Sequence, residues 1–135
     1  MYITYQNKEK ADSIYVHDSI FSGFLYNYEK REIVLSCKNT YLKKEFKIVF
    51  SNVVYANLQS CSFWHGGNNI MDFFLGDPSV QEQMLRSYGE KNQWIEGSYL
   101  DRNIVFLLGI VQINSGDVVE ILCEGIEYTE QIMHE

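Results

Sequence analysis

The fold is decided by the stretch Asn103-Ile-Val-Phe-Leu-Leu-Gly-Ile-Val-Gln-Ile113, which passes through Asn114-Ser-Gly-Asp117 and returns as Val118-Val-Glu-Ile-Leu-Cys-Glu-Gly-Ile-Glu-Tyr128. Both runs are rich in β-branched residues, and a short glycine-bearing turn separates them. This pattern is typical of an antiparallel hairpin. It predicts a domain made mainly of β-strands.

The first run is apolar on both of its alternating faces. One face carries Ile104, Phe106, Leu108 and Ile110, and the other carries Val105, Leu107, Val111 and Ile113. A strand of this kind has to be covered on both sides. We expect a second sheet on one side and a helix on the other, and the alternative cover is a neighbouring subunit in a homodimer.

Further strands are indicated upstream by alternating apolar residues and polar turns. They are predicted at Tyr2–Tyr5, Ile20–Tyr28, Glu32–Lys38, Lys44–Phe50, Val53–Leu58, Ile70–Leu75 and Gln93–Glu96. With the terminal hairpin they predict a mainly β fold, all-β or α+β. We expect one domain over 1–135, an antiparallel sandwich or curled barrel of about eight strands with one inserted helix.

That helix is predicted at Pro78–Tyr88. Asp77 can cap its first turn, Pro78 suits the first helical position, and Gly89 suits the residue after its end. An apolar stripe should pack on the sheet, and a partner's groove is its alternative use. The stripe consists of Val80, Met84, Leu85 and Tyr88.

Composition excludes some classes of partner. The 135 residues are 46% hydrophobic and carry a net charge of −7, which disfavours nucleic acid and favours a basic partner.

Cys37, Cys61 and Cys123 are odd in number and far apart, so no disulfide framework is expected. The N-terminal residues lack a signal-peptide core and no run is long enough to span a membrane, so we expect a cytoplasmic protein.

His17-Asp18-Ser19 invites comparison with a hydrolase triad. Adjacent residues of an extended chain point to opposite faces, whereas a triad requires convergence. We expect instead that the side chain of Asp18 or Ser19 caps the turn before the next strand, with His17 supporting it.

The clearest local anomaly follows Phe63 and comprises Trp64, His65, Gly66, Gly67, Asn68 and Asn69. Its glycines and asparagines permit positive φ and can leave backbone amides available to a ligand. The alternative is a tight turn with Trp64 in the core. His65-Gly66-Gly67 is weakly similar to the oxyanion loop of lipases, but the chain has no Gly-x-Ser-x-Gly elbow to accompany it.

A metal site could be assembled from His17, Asp18, His65 and Asp72, yet no pair has metal-binding spacing. His134 sits near the C-terminus. We therefore expect neither a metal nor a cofactor.

Charge is segregated along the chain. The second and third predicted strands are basic, whereas the last 33 residues hold six acids and no Lys or Arg. Glu120 and Glu124 share a strand phase and are predicted to form an acidic stripe on the outer face, for a basic partner or for solvation.

Tyrosines are too numerous to be all in the core, so some are expected to rim a contact or a groove. The candidates are Tyr2, Tyr5, Tyr15, Tyr26, Tyr28, Tyr41, Tyr55 and Tyr99.

The order of His17-Asp18-Ser19, a strand, a polar turn, an alternating strand and then Phe46-Lys-Ile-Val-Phe-Ser-Asn-Val53 resembles small bacterial all-β domains of unknown function. Some of these look like immunity proteins of contact-dependent toxin systems. The resemblance covers roughly residues 16–70 and implies no catalytic residue.

Three functional hypotheses follow. The first is a non-catalytic binding module, immunity-like, whose partner is a basic protein recognised through the acidic hairpin or the Trp64–Asn69 loop. The second is a small-ligand or metal site, or an enzyme, built on His17, Trp64 and His65. The third is a structural homodimer.

Overall fold

A computed structural model describes residues 1–58, 68–92 and 104–133. Within these residues the elements, in chain order, are β1 (Tyr2–Ile3), β2 (Ile20–Asn27), β3 (Glu32–Asn39), β4 (Lys44–Ser51), β5 (Tyr55–Leu58), β6 (Ile70–Gly76), α1 (Ser79–Asn92), β7 (Leu107–Ile113), β8 (Val118–Cys123) and β9 (Gly125–Ile132). Turns of 3₁₀ helix at Tyr5–Ser13 lie between β1 and β2. The predicted strand Gln93–Glu96 is outside the described residues.

The strands form two antiparallel sheets, as predicted. The five-stranded sheet has the order β1-β9-β4-β3-β2, and the four-stranded sheet has the order β5-β8-β7-β6. Their inner faces share one core, in which the rings of Phe50 and Phe73, one from each sheet, lie 6.2 Å apart. The sheets do not close into a barrel, so the sandwich alternative is correct.

Strand β7 is covered on both faces within the chain. Leu107 and Val111 belong to the core between the sheets. Leu108 and the preceding Phe106 belong to a second cluster, against which Leu85 of α1 packs. The expected cover, a sheet on one side and a helix on the other, is therefore confirmed.

Gly109 allows the two sheets to approach at the middle of β7. A Cβ atom at this position would lie 2.7 Å from Cε1 of Phe50, whose side chain is fully buried. Because a core ring has no room to retreat, a residue without a side chain is required here.

Helix α1 differs from the prediction in its end and in its buried face. The carboxylate of Asp77 accepts the Ser79 N–H at 2.9 Å, so the predicted cap is confirmed. The helix continues through Gly89 to Asn92, so the predicted stop is wrong. No helix in the described ranges is long and apolar enough to cross a membrane.

The predicted apolar stripe of α1 does not pack as a unit. Val80 and Met84 are 73% and 47% exposed, whereas Leu85 packs on the second cluster. Nε2 of Gln81 also donates to Oε2 of Glu120 on β8 at 3.0 Å. The packing face is therefore centred on Gln81 and Leu85, because the outer side of this sheet offers a carboxylate beside its apolar residues.

The second arm of the predicted hairpin is two strands in different sheets. Strand β8 pairs with β7 as predicted, but the chain leaves the four-stranded sheet after Cys123 and joins the other sheet as β9. A Cβ atom on Gly125 would clash with the Tyr2 side chain. The Tyr2 side chain therefore covers the point at which the chain changes sheets.

The cysteines with described positions, Cys37 and Cys123, are buried free thiols. Burial raises the pKa of each to about 12. They therefore pack as small apolar side chains, and Cys61 is outside the described residues.

Gly109→Ala should lower the free energy of unfolding by about 1–3 kcal/mol, since its methyl group would press on the Phe50 ring. Denaturant titration measures this loss. Phe50→Leu vacates part of the same space, so the double variant should be less destabilised than the two single losses combined. Fully additive losses would contradict this packing.

Candidate functional site

The predicted loop site is only partly described. Trp64, His65, Gly66 and Gly67 are outside the described residues, so their proposed role stays a prediction. Asn68 and Asn69 are described, and they join the two sheets. The Asn68 carbonyl accepts the Phe21 N–H of β2 at 2.8 Å, while the Asn69 N–H donates to Oδ1 of Asn114 at 3.1 Å.

His17 and Asp18 meet, contrary to the prediction that they point apart. Asp18 has φ +64°, and the Ser19 N–H closes a turn onto the Val16 carbonyl at 3.0 Å. This turn brings His17 Nε2 to 3.4 Å from Asp18 Oδ2, while Nδ1–H donates to the Met71 carbonyl. The prediction failed because it assumed an extended backbone.

The same turn does not form a hydrolase triad or the predicted side-chain cap. The Ser19 side chain is fully buried, and Nε2 of His17 faces a carboxylate where a triad would place the nucleophile. The backbone bond closes the turn in place of Asp18 or Ser19. The ranges described contain no cluster of three or more His, Cys, Asp or Glu that could hold a metal.

The predicted acidic stripe is divided by the change of sheet. Glu120 lies on β8 beside Gln81 of α1, whereas Glu124 lies beyond the end of β8, where its N–H donates to the Ser51 carbonyl at 3.2 Å. The two residues therefore do not line one strand. Their predicted role in binding a basic partner is not tested by this arrangement.

The charge segregation of the sequence is reduced by strand pairing. Acidic β9 pairs with basic β4 along its length. Nζ of Lys44 lies 3.3 Å from Oε1 of Glu130, and both side chains are partly exposed. Such a pair contributes at most about 1 kcal/mol. Of the C-terminal acids, Glu130 therefore lies beside a lysine of its own chain.

A concave site lies elsewhere, at the side of the sandwich between the edge strands β2 and β5. This tyrosine groove has a volume of about 280 Å³ and is lined by Tyr26, Asn27, Tyr28, Arg31, Glu32, Ile33, Val53, Val54, Tyr55 and Ala56. Tyr26 pairs with Ile33 in the sheet register, so both side chains are on the core side. The groove therefore lies at the edge of the hydrophobic core.

Tyrosines dominate the rim of the groove. Tyr26 and Tyr28 are 46% and 88% exposed. Their rings are close to parallel, with centroids 6.5 Å apart and an angle of 20° between planes. Tyr26 lies near the end of β2 and Tyr28 lies in the turn that follows, and this arrangement places their rings side by side.

Two turns hold the groove in shape. Arg31 after β2 and Asn52 after β4 both have left-handed backbone, with φ of +52° and +50°. Nη2 of Arg31 donates to Oδ1 of Asn52 at 2.9 Å, and the Val53 N–H donates to the Arg31 carbonyl at 2.9 Å. These bonds tie the β2–β3 turn to the segment that leads into β5.

Sequence reasoning named the groove tyrosines only as members of a larger set. The pair Tyr26 and Tyr28, two residues apart before a polar turn, was a usable signal for a shared face. Nothing local linked that pair to Tyr55, because the three residues line one groove only after the two sheets have packed together.

A scan against protein-family models finds no match to this chain, and a search of curated proteins finds no significant match. Its function is therefore inferred from the chemistry of the groove.

Asn52→Ala and Asn52→Gly both remove the acceptor of the Arg31 hydrogen bond, but only alanine has a Cβ that opposes φ +50°. The alanine variant should therefore be less stable than the glycine variant by about 1 kcal/mol. Denaturant unfolding of the pair measures the difference. Equal stabilities would contradict the left-handed backbone at the groove.

Proposed function

We propose that this domain is a non-catalytic binding module that recognises a protein partner through the tyrosine groove. The observation that carries the proposal is the pair Tyr26 and Tyr28, which expose apolar ring surface on the rim of a concave site. Tyrosine is enriched in protein interfaces because its ring buries a large area at a small entropic cost. A cytoplasmic, immunity-like role, in which the partner is a toxin-like protein, is part of this proposal.

The alternatives have weaker support. A ligand site or enzyme built on His17 would use a ring whose two nitrogens already face the Met71 carbonyl and the Asp18 carboxylate. A homodimer was suggested by the doubly apolar β7, which its own chain covers at Leu107 and Leu108. An acidic surface for a basic partner has less support than the groove, because Glu120 already accepts a bond from Gln81.

The test compares a groove variant with a matched surface variant. Tyr26→Ala/Tyr28→Ala removes the exposed rings of the groove, whereas Tyr41→Ala removes a tyrosine that is 96% exposed and lies in the turn between β3 and β4. Each purified protein is used to capture partners from a lysate of its source organism, with quantitative mass spectrometry.

We expect a partner that the unchanged chain and Tyr41→Ala recover and the double variant loses. With that partner purified, the double variant should bind at least about tenfold more weakly, as is usual when interface tyrosines are truncated. A partner held equally by all three proteins would contradict a binding role for the groove.

A further inference from the structure

The groove's own charges restrict the charge of its occupant. It is lined by one cation, Arg31, and one carboxylate, Glu32, so its net charge is zero. Arg31 is also engaged by Asn52. A charged group entering the groove would lose its hydration without meeting a net opposite charge, which is unfavourable. The electrostatic complement of the groove is therefore an uncharged group.

The floor and the size of the groove restrict its occupant further. Ile33 and Val53 contribute aliphatic side chains to the lining of the groove. A volume of about 280 Å³ is at the lower limit of small-molecule pockets, which span about 300–1,000 Å³. This space suits one large side chain together with its neighbouring backbone better than it suits a cofactor.

The rim has the composition of an interface hot spot. Tyrosine and arginine are among the residues that dominate binding energy, and they do so around pockets that receive an anchor from the partner. Aromatic faces also favour apolar and aromatic groups in contact with them. Tyr28, 88% exposed, has the most surface to bury on binding.

From these observations we propose that the occupant of the tyrosine groove is one uncharged aliphatic or aromatic side chain, presented by the partner protein as an anchor. This assignment rests on the proposed function and specifies the chemistry of the partner. The anchor packs on Ile33 and Val53, while Tyr26 and Tyr28 cover its sides.

The test uses amino-acid probes in place of the unidentified partner. The ¹⁵N-labelled domain is titrated with N-acetyl-leucinamide and N-acetyl-tryptophanamide, and separately with N-acetyl-lysinamide, with the α-amide of N-acetyl-glutamate, and with maltose. Amide shifts are followed by two-dimensional NMR. For the leucine and tryptophan probes we expect saturable shifts at groove residues with dissociation constants on the order of millimolar.

The charged probes and maltose should give shifts at least about threefold smaller at the same concentration. Tyr28→Ala should remove most of the response to the apolar probes, and Tyr41→Ala should leave it unchanged. Both variants change exposed side chains, and their spectra report directly whether the fold is intact.

A groove that responds best to the lysine probe, the glutamate probe or maltose would overturn the assignment, as would a groove that responds to none of the probes. If partner capture still depends on Tyr26 and Tyr28 in that case, the proposed function stands and only the nature of the anchor is wrong. If capture is also independent of the tyrosines, both proposals fail.

Discussion

The structure depends on the burial of β7 on both of its faces. Leu107 and Val111 require the five-stranded sheet on one side, and Leu108 requires α1 on the other. Each fully buried side chain of this size stabilises the fold by about 1.5–3 kcal/mol, so a single uncovered face would remove a large part of a typical domain stability. Gly109 in the same strand admits the ring of Phe50 and so sets how closely the sheets approach.

Much of this architecture could be predicted from the sequence because its causes are local. Alternating apolar and polar residues located β3 and β4. Apolar residues on both faces of Ile104–Ile113 predicted that this strand is covered on both sides. The change of sheet at Glu124 could not be predicted, since β9 is placed by its pairing with β4, which is distant in the chain. The packing face of α1 was also predicted wrongly, because the hydrogen bond between Gln81 and Glu120 forms only when β8 lies beside the helix.

The tyrosine groove was likewise only partly predictable from the sequence. A shared face for Tyr26 and Tyr28 follows from their spacing, but a groove needs a second wall. That wall comes from Val53–Ala56, which the Arg31–Asn52 hydrogen bond holds beside the end of β2. Two residues other than glycine adopt left-handed backbone there, a conformation that costs free energy and persists only where the surroundings enforce it. The groove is therefore formed by the gap between the edge strands of the sandwich.

If a partner protein binds at the tyrosine groove, site-specific photo-cross-linking in the source cell will capture it there. A benzophenone amino acid is placed at position 28, at the control position 41, or at position 80 on the exposed side of α1. We expect one cross-linked protein from position 28, with no cross-link to that protein from position 41 or 80. Cross-linking of the partner from position 80 or 41, with none from position 28, would contradict it.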